Sequence, residues 1–314
     1  MGEQKTAGRR PRIGFVGVGL MGHGMAKNLL EKGWPLAVVA HRKRQPVEDL
    51  VARGATEAPS LAALIAEAEV LVLCVTSSIE VEAIVEGPGG ALQKGHRGLI
   101  VIDCSTSHPD STLRLGERLE AAGIRLVDSP LARTPKEAAE GRLLSFVGAE
   151  PALLEEVRPI VEAWSEKVIH AGPLGAGHRV KLINNFVAMS YAMIYAEAYA
   201  ACRMSGVDAR VFDQVIASGG LNCANYQNFR RYMVEGDRKA HAFALRNCAK
   251  DMRYYTQMLD AAGGVTPVGD LALQCYKEAV NRGLGEAYIP QLADLFAELN
   301  GLEPGPLTEV APQR

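Results

Sequence analysis

Ile13-Gly-Phe-Val-Gly-Val-Gly-Leu-Met-Gly22 decides the fold. Ile13–Val16 is a short apolar run bounded by glycines, the pattern of a buried parallel strand. From Met21 to Lys32 the pattern turns helical and stops at Gly33. Between strand and helix, Gly17, Gly19 and Gly22 fall at G-x-G-x-x-G spacing, and that context gives the spacing its meaning. Gly17 permits a tight turn, Gly19 lets a backbone approach a pyrophosphate, and Gly22 allows close helix–strand packing. The unpaired N–H groups of the helix N-terminus then face the phosphates. Gly17, Gly19, Leu20, Met21 and Gly22 are therefore expected to line a dinucleotide; a purely structural glycine turn is the competing reading.

Working outward, a second strand at Leu36–Ala40 ends where such folds read the adenosine ribose. An acidic residue there would bind the 2′-hydroxyl and repel a 2′-phosphate. This chain has Ala40 followed by His41-Arg-Lys-Arg44. Cations at that strand tip suit a 2′-phosphate, with arginine able to bind it bidentately. His41, Arg42 and Lys43 thus predict NADP, with NAD the alternative; a solvated basic loop is the bland account.

The alternation continues. Helices are expected at Leu61–Ala68, Ile79–Glu86, Asp110–Ala122 and Ala152–Trp164. Strands are expected at Val70–Val75, Leu99–Ile102, Arg125–Asp128, Leu143–Gly148 and Val168–Ala171. Strands separated by helices of this length make a doubly wound parallel sheet, whose ligand sits beyond the strand C-termini. Val75, Thr76, Ser105, Thr106 and Ser129 lie in those C-terminal loops and are candidates for cofactor or substrate contacts. Each hydroxyl could equally be a helix cap. The loop Asp128-Ser-Pro-Leu-Ala-Arg-Thr134 places an arginine beside the nicotinamide end of the crevice. Its fork-shaped guanidinium suits a carboxylate, phosphate or sulfonate; a salt bridge to Glu137 or Asp128 is the alternative.

The pattern changes at Gly172-Pro-Leu-Gly-Ala-Gly-His-Arg-Val-Lys-Leu-Ile-Asn-Asn185. After it, helical patterns cover Val180–Met204, Ala209–Ala217, Asn225–Glu235, Ala242–Ala262, Gly269–Arg282 and Ile289–Leu299, with no period-2 run. Positions i, i+3 and i+4 of a helix share one face, so Lys181, Asn184 and Asn185 project together from an otherwise apolar helix. A buried ammonium is costly unless paired or deprotonated; a lysine snorkelling from a helix end is the simpler account. Residues 303–314 carry three prolines and no apolar face, the composition of a disordered tail.

Composition narrows the function classes. The chain has 314 residues, 48% hydrophobic and 22% charged, with formal net charge -2. No basic excess points to nucleic acid or to an anionic membrane. The six cysteines are widely spaced, as in a reducing compartment. The seven histidines form no metal-ligand pair, so no metal is expected. Residues 1–11 are basic without an apolar core, unlike a secretory signal. A soluble, cytoplasmic protein is expected.

Taken together, these motifs resemble the β-hydroxyacid dehydrogenases, a family that includes 3-hydroxyisobutyrate, tartronate semialdehyde and 6-phosphogluconate enzymes. Four motifs carry the resemblance, in the family's order: the turn at Gly17–Gly22, Asp128-Ser-Pro with Gly141 downstream, Gly172–Asn185, and Lys250-Asp251. It covers residues 12 to 300 or so. It implies an α/β Rossmann-like domain (12–172) with a parallel sheet, joined by a long interdomain helix to an all-α domain (173–302) that forms homodimers or homotetramers. It also implies that Lys181 is the general acid/base, that Asn185 orients the substrate, helped by Asn184, and that Lys250 lies near the nicotinamide. Most members read Ser-Gly-Gly where this chain has Ala132-Arg133-Thr134. The Arg-Thr version is similar to the sulfolactaldehyde reductase branch, in which the arginine helps hold a sulfonate, although that branch tends to carry an acidic residue at position 40 and to prefer NAD. The expected activity is reversible reduction of a small carbonyl compound bearing an anionic group, with Arg133 and Thr134 holding the anion. Imine reduction on a similar fold and a non-catalytic dinucleotide sensor are the alternatives; imine-reducing relatives usually lack the lysine, and sensors generally lose it or add a recognition domain.

Overall fold

A computed structural model of the chain describes residues 9–308. The start of the basic segment (1–8) and the end of the expected tail (309–314) lie outside the described residues. The chain divides into two compact units, one running to Lys181 and the other starting at Leu182.

The first unit is built on a nine-stranded sheet. Strands β1 (Ile13–Val16), β2 (Leu36–Val38) and β3 (Thr56–Glu57) alternate with helices α1 (Gly22–Glu31) and α2 (Gln45–Ala52). Helix α3 (Leu61–Glu67) leads to β4 (Val70–Leu73), and α4 (Ser78–Glu86) with α5 (Ala91–Lys94) leads to β5 (Ile100–Asp103). Helix α6 (Pro109–Ala121) then leads to β6 (Arg125–Asp128). The unit continues with β7 (Leu131–Ala132), α7 (Pro135–Ala139), β8 (Leu143–Gly148), α8 (Pro151–Val161) and β9 (Ser165–Gly172). The strand order is β3-β2-β1-β4-β5-β6-β8-β7, with β9 on β8. Strands β1 to β6 pair in parallel, whereas β8 runs antiparallel to β6 and β7. Strand β1 lies between β2 and β4, where the winding reverses, and ligands of such sheets bind beyond the strand C-termini at that point.

Side-chain alternation explains why both faces of this sheet are covered. Val70, Val72, Ile100 and Ile102 join the core on one face with Phe15, Met25 and Leu29. Leu71, Leu73, Leu99 and Val101 join the core on the other with Leu64, Leu115 and Leu119. Continuous apolar strands are what a helix-covered parallel sheet requires.

Helix α9 (Ala176–Met204) begins in the first unit and continues into the second. Its start is earlier than the apolar run from Val180 suggests, because the capping group lies far off in sequence, as described below. The second unit adds α10 (Ala209–Ser218), α11 (Ala224–Met233), α12 (Leu245–Ala261), α13 (Pro267–Asn281) and α14 (Leu292–Leu299). Its core is rich in tyrosine, and three of the buried tyrosine hydroxyls find carbonyl or carboxylate acceptors. Tyr276 donates to the Met189 carbonyl (2.9 Å), Tyr226 to Asp213 (2.9 Å), and Tyr232 to Asp294 (2.7 Å). No helix is long and apolar enough to cross a membrane among the described residues.

The change from the first compact unit to the second falls inside α9, whose first turn is tied to β6. One expectation needs correction. Residues 303–308 do not form a loose tail: Leu307 is buried, its N–H donates to the Met233 carbonyl (2.8 Å), and the Gly305 N–H donates to Asp294 (2.9 Å). Leucines at 302 and 307 bury against the core, outweighing the intervening prolines.

Candidate functional site

The glycine turn has the geometry its spacing predicts. Gly17 takes φ +97°, and a Cβ there would overlap the Cys74 carbonyl. A Cβ at Gly22 would overlap the Gly17 carbonyl oxygen and lie 3.0 Å from the Phe15 ring. At Gly19, by contrast, nothing lies within 4 Å of where a Cβ would stand. Two glycines are thus required by packing, and the middle one opens onto space in front of α1. Leu20 is exposed beside it. An open cradle before the free N–H groups of a helix fits a pyrophosphate.

At the tip of β2, His41, Arg42 and Lys43 are exposed. Arg44 is committed elsewhere: it pairs bidentately with Glu57 (2.8 and 3.0 Å) at the start of α2. The basic cluster available to a ligand is therefore smaller than the sequence suggests.

The hydroxyl loops divide between structure and site. Ser105 is buried, and its Oγ accepts from the Val75 N–H (3.0 Å), tying the end of β5 to the loop after β4. Ser78 Oγ accepts from the His108 N–H (2.7 Å) in a second tie of this kind. Thr76 is exposed and Thr106 half-buried. Ser129 is fully buried, with no hydrogen-bond partner for its hydroxyl among the described residues. Cys74 and Cys104 sit at neighbouring strand ends, where burial, and then Asp103, pushes the Cys74 thiol up to about 12. These thiols are not nucleophiles at neutral pH.

Arg133 takes φ +86°, a left-handed conformation that side chains resist. The resembling family usually has a glycine here, and this backbone conformation is the reason a glycine suits it. The guanidinium donates to Glu166 and to the Arg142 carbonyl, not to the neighbouring Glu137 or Asp128. Thr134 donates both its N–H (3.1 Å) and its hydroxyl to Glu137, so its side chain closes the start of α7.

Lys181 lies half-buried in the second turn of α9. The turn before it is held by Asp128, from the end of β6. Its carboxylate accepts from the Gly175 N–H and the His178 N–H, each at 2.7 Å. Burial pushes the Asp128 carboxyl above the usual range, against the pull of His178 and the two N–H donors. This capping role was not legible in the sequence, although acidic ends on two adjacent strands, Asp103 and Asp128, were a usable signal.

In the second unit, Asn184 is exposed while Asn185 is buried. Asn185 donates to Asp251 Oδ2 (2.7 Å), and Lys250 Nζ lies 3.0 Å from Asp251 Oδ1. One buried carboxylate thus joins the two residues for which substrate and nicotinamide roles were expected. Among the described residues no group of His, Cys, Asp or Glu could hold a metal.

Residues 12–172 match the family model of the NAD binding domain of 6-phosphogluconate dehydrogenase. Residues 175–295 match that described as NAD-binding of NADP-dependent 3-hydroxyisobutyrate dehydrogenase. The chain is 30% identical to an NAD-dependent L-serine dehydrogenase of Pseudomonas aeruginosa, over 92% of this chain and 99% of that protein. It is also 30% identical to the 3-sulfolactaldehyde reductase of Escherichia coli, over 87% and 91%. A solved structure of a 3-hydroxyisobutyrate dehydrogenase from Salmonella typhimurium shares the fold with a TM-score of 0.82 at 24% identity, covering 90% of this chain and 99% of that one. With a dinucleotide cradle on its first unit and both family models matched in order, the chain belongs to the β-hydroxyacid dehydrogenases and is an oxidoreductase that uses a nicotinamide dinucleotide.

Proposed function

We propose that the protein reversibly reduces a small aldehyde or ketone bearing a carboxylate or sulfonate, using NADPH, with Lys181 as general acid/base. The carrying observation is the placement of Lys181, one turn beyond a helix start that Asp128 fixes to the end of β6. The two relatives named above, an L-serine dehydrogenase and a 3-sulfolactaldehyde reductase, act on a carboxylate and a sulfonate respectively. The residues at positions 41–43 and the absence of an acid at Ala40 support NADP over NAD.

A dihydronicotinamide, when bound, would supply the hydride to the carbonyl carbon and would itself be oxidised. Arg133, released from Glu166, holds the substrate anion with Thr134. Asn185, its amide orientation set by the donation to Asp251, directs the carbonyl, with Asn184 beside it. The Lys181 ammonium gives its proton to the oxygen as the carbonyl electron pair moves there; in oxidation the neutral amine takes the hydroxyl proton. Lys250, joined to Asn185 through Asp251, would be the lysine near a bound nicotinamide.

Four apolar side chains on α9, Ile183, Val187, Tyr191 and Ile194, are each at least 40% exposed and share one face at helical spacing. Such a stripe supports assembly with a second copy, as a homodimer or homotetramer.

NADPH and NADH oxidation with succinic semialdehyde, tartronate semialdehyde and sulfolactaldehyde tests the reading. Lys181→Ala should keep NADPH affinity and lose ~10²–10⁴-fold in turnover, the usual worth of an acid/base group. Wild-type turnover in that variant would remove Lys181 from the mechanism; binding of NADPH without turnover of any substrate would favour a sensor.

A further inference from the structure

The ends of β5 and β6 carry a buried polar cluster that the proposed chemistry leaves unused. Asp103, Ser107, Thr112, Asp128 and His178 are each at most 2% exposed. His178 is the hub. Its Nδ1 is 2.7 Å from Thr112 Oγ1, on α6. Its Nε2 lies 3.7 Å from Asp103 Oδ2 and has no hydrogen-bond partner among the described residues. Its own N–H donates to Asp128 Oδ2, and Asp128 Oδ2 also lies 3.8 Å from Nδ1. Asp103 is occupied in turn by the Ser107 hydroxyl (2.8 Å) and the Ser105 N–H (2.9 Å).

The backbone has been cleared for this cluster. A Cβ at Gly148 would overlap the Asp128 carboxylate, and one at Gly177 would lie 2.8 Å from its Oδ2. A helix start that needed only stability would be served as well by an apolar residue at 178, with no imidazole nitrogen left unpaired. Directional bonds do what apolar packing does not: they fix the rotation of the first turn about the helix axis. His178 is three residues, and Gly177 four, before Lys181, so all three share one face of α9. Fixing that turn against α6, β5 and β6 fixes where the Lys181 ammonium points.

We propose that His178, held by Thr112 and Asp128, is a positioning residue that aims Lys181 at the reacting oxygen. The inference rests on the reading of Lys181 as the acid/base, and its test separates the two. His178→Ala, His178→Gln, Thr112→Val and Lys181→Ala are compared in the full chain, with turnover measured per NADPH-binding site on the panel aldehyde the wild type reduces fastest. The signal of ¹³C-dimethylated Lys181, assigned by its loss in Lys181→Ala, reports the lysine directly and needs no substrate. Positioning predicts that His178→Ala lowers kcat by about 10- to 100-fold, the cost of a misplacement near an ångström. KM and NADPH affinity stay put, and the Lys181 signal moves toward that of a free lysine. Glutamine, which can still hydrogen-bond Thr112, should restore most of kcat, and Thr112→Val should shift the signal in the same sense as alanine. An unmoved Lys181 signal with wild-type kcat in folded His178→Ala overturns the positioning role and leaves the acid/base reading standing. Full turnover in Lys181→Ala removes the acid/base reading itself, whatever the His178 variants do. Equal loss in alanine and glutamine variants, with an unmoved Lys181 signal, would make His178 structural only.

Discussion

Gly177 stands against the Asp128 carboxylate: a Cβ at 177 would lie 2.8 Å from Oδ2 and would overlap the Phe146 carbonyl oxygen. The pair is the join between β6 and the helix that bears Lys181. Gly177→Ala must therefore push the carboxylate off the Gly175 and His178 N–H groups or shift the helix. Overpacking of this kind costs about 1–3 kcal/mol. A lowered denaturation midpoint together with reduced kcat is expected; an unchanged midpoint would mean the helix start has slack that the distances do not reveal.

Arg133 holds a conformation that costs a non-glycine residue about 1–2 kcal/mol, so its presence asks for a compensating use. Arg133→Gly removes that strain while adding chain entropy to the unfolded state, which costs about 0.5–1 kcal/mol. The midpoint of unfolding should hold or rise slightly. The KM for an anionic aldehyde should rise about 10- to 100-fold, since a charge-assisted hydrogen bond is worth about 1.5–3 kcal/mol. A clear loss of stability with unchanged KM would show that the arginine serves the fold instead.

Glu166 occupies the guanidinium proposed to hold the substrate anion. Both side chains are partly exposed, so the pair is worth at most about 1 kcal/mol. Glu166→Gln should lower the KM for anionic aldehydes by no more than about fivefold, with the difference shrinking as salt is added. An uncharged aldehyde should show no change. A raised KM would mean that Glu166 helps to place the arginine instead of competing for it.

Much of the architecture could be read from one dimension because its determinants are local. The apolar runs at Ile13–Val16, Val70–Leu73 and Leu99–Ile102, and the glycines of the first turn, carry their own geometry. What could not be read depends on partners distant in sequence. Helix α9 starts at Ala176 because a carboxylate from residue 128 caps it. Arg133 turns to Glu166 on β9, not to Glu137, which is nearer in sequence. Ser105, a candidate ligand contact by its loop position, is spent on the Val75 N–H. The short strands β3 and β7 have only two residues each, too few for any period to register.

Tyr232 and Asp294 give a pH signature to the second unit. The tyrosine hydroxyl reaches both carboxylate oxygens (2.7 and 2.8 Å), and the Gly305 N–H adds a third contact. Burial pushes the Asp294 carboxyl above its ordinary value, opposed by the Tyr232 hydroxyl and the Gly305 N–H. The folded chain thus binds this proton more tightly than the unfolded one, and its contribution to stability falls as pH rises from the ordinary carboxylate value through the folded value. Tyr232→Phe removes a donor to the charged form and should raise the carboxyl further. The loss should be about 1–3 kcal/mol near neutral pH, where an under-solvated carboxylate is left buried. It should shrink in acid, where the carboxyl is protonated in both chains. Urea denaturation of wild type and variant at about pH 3.5 and about pH 7.5, on either side of the ordinary aspartate value of about 3.9, checks this. A gap that is equal at both pH values, or wider in acid, would show that the hydroxyl acts through packing and not through the charge of Asp294.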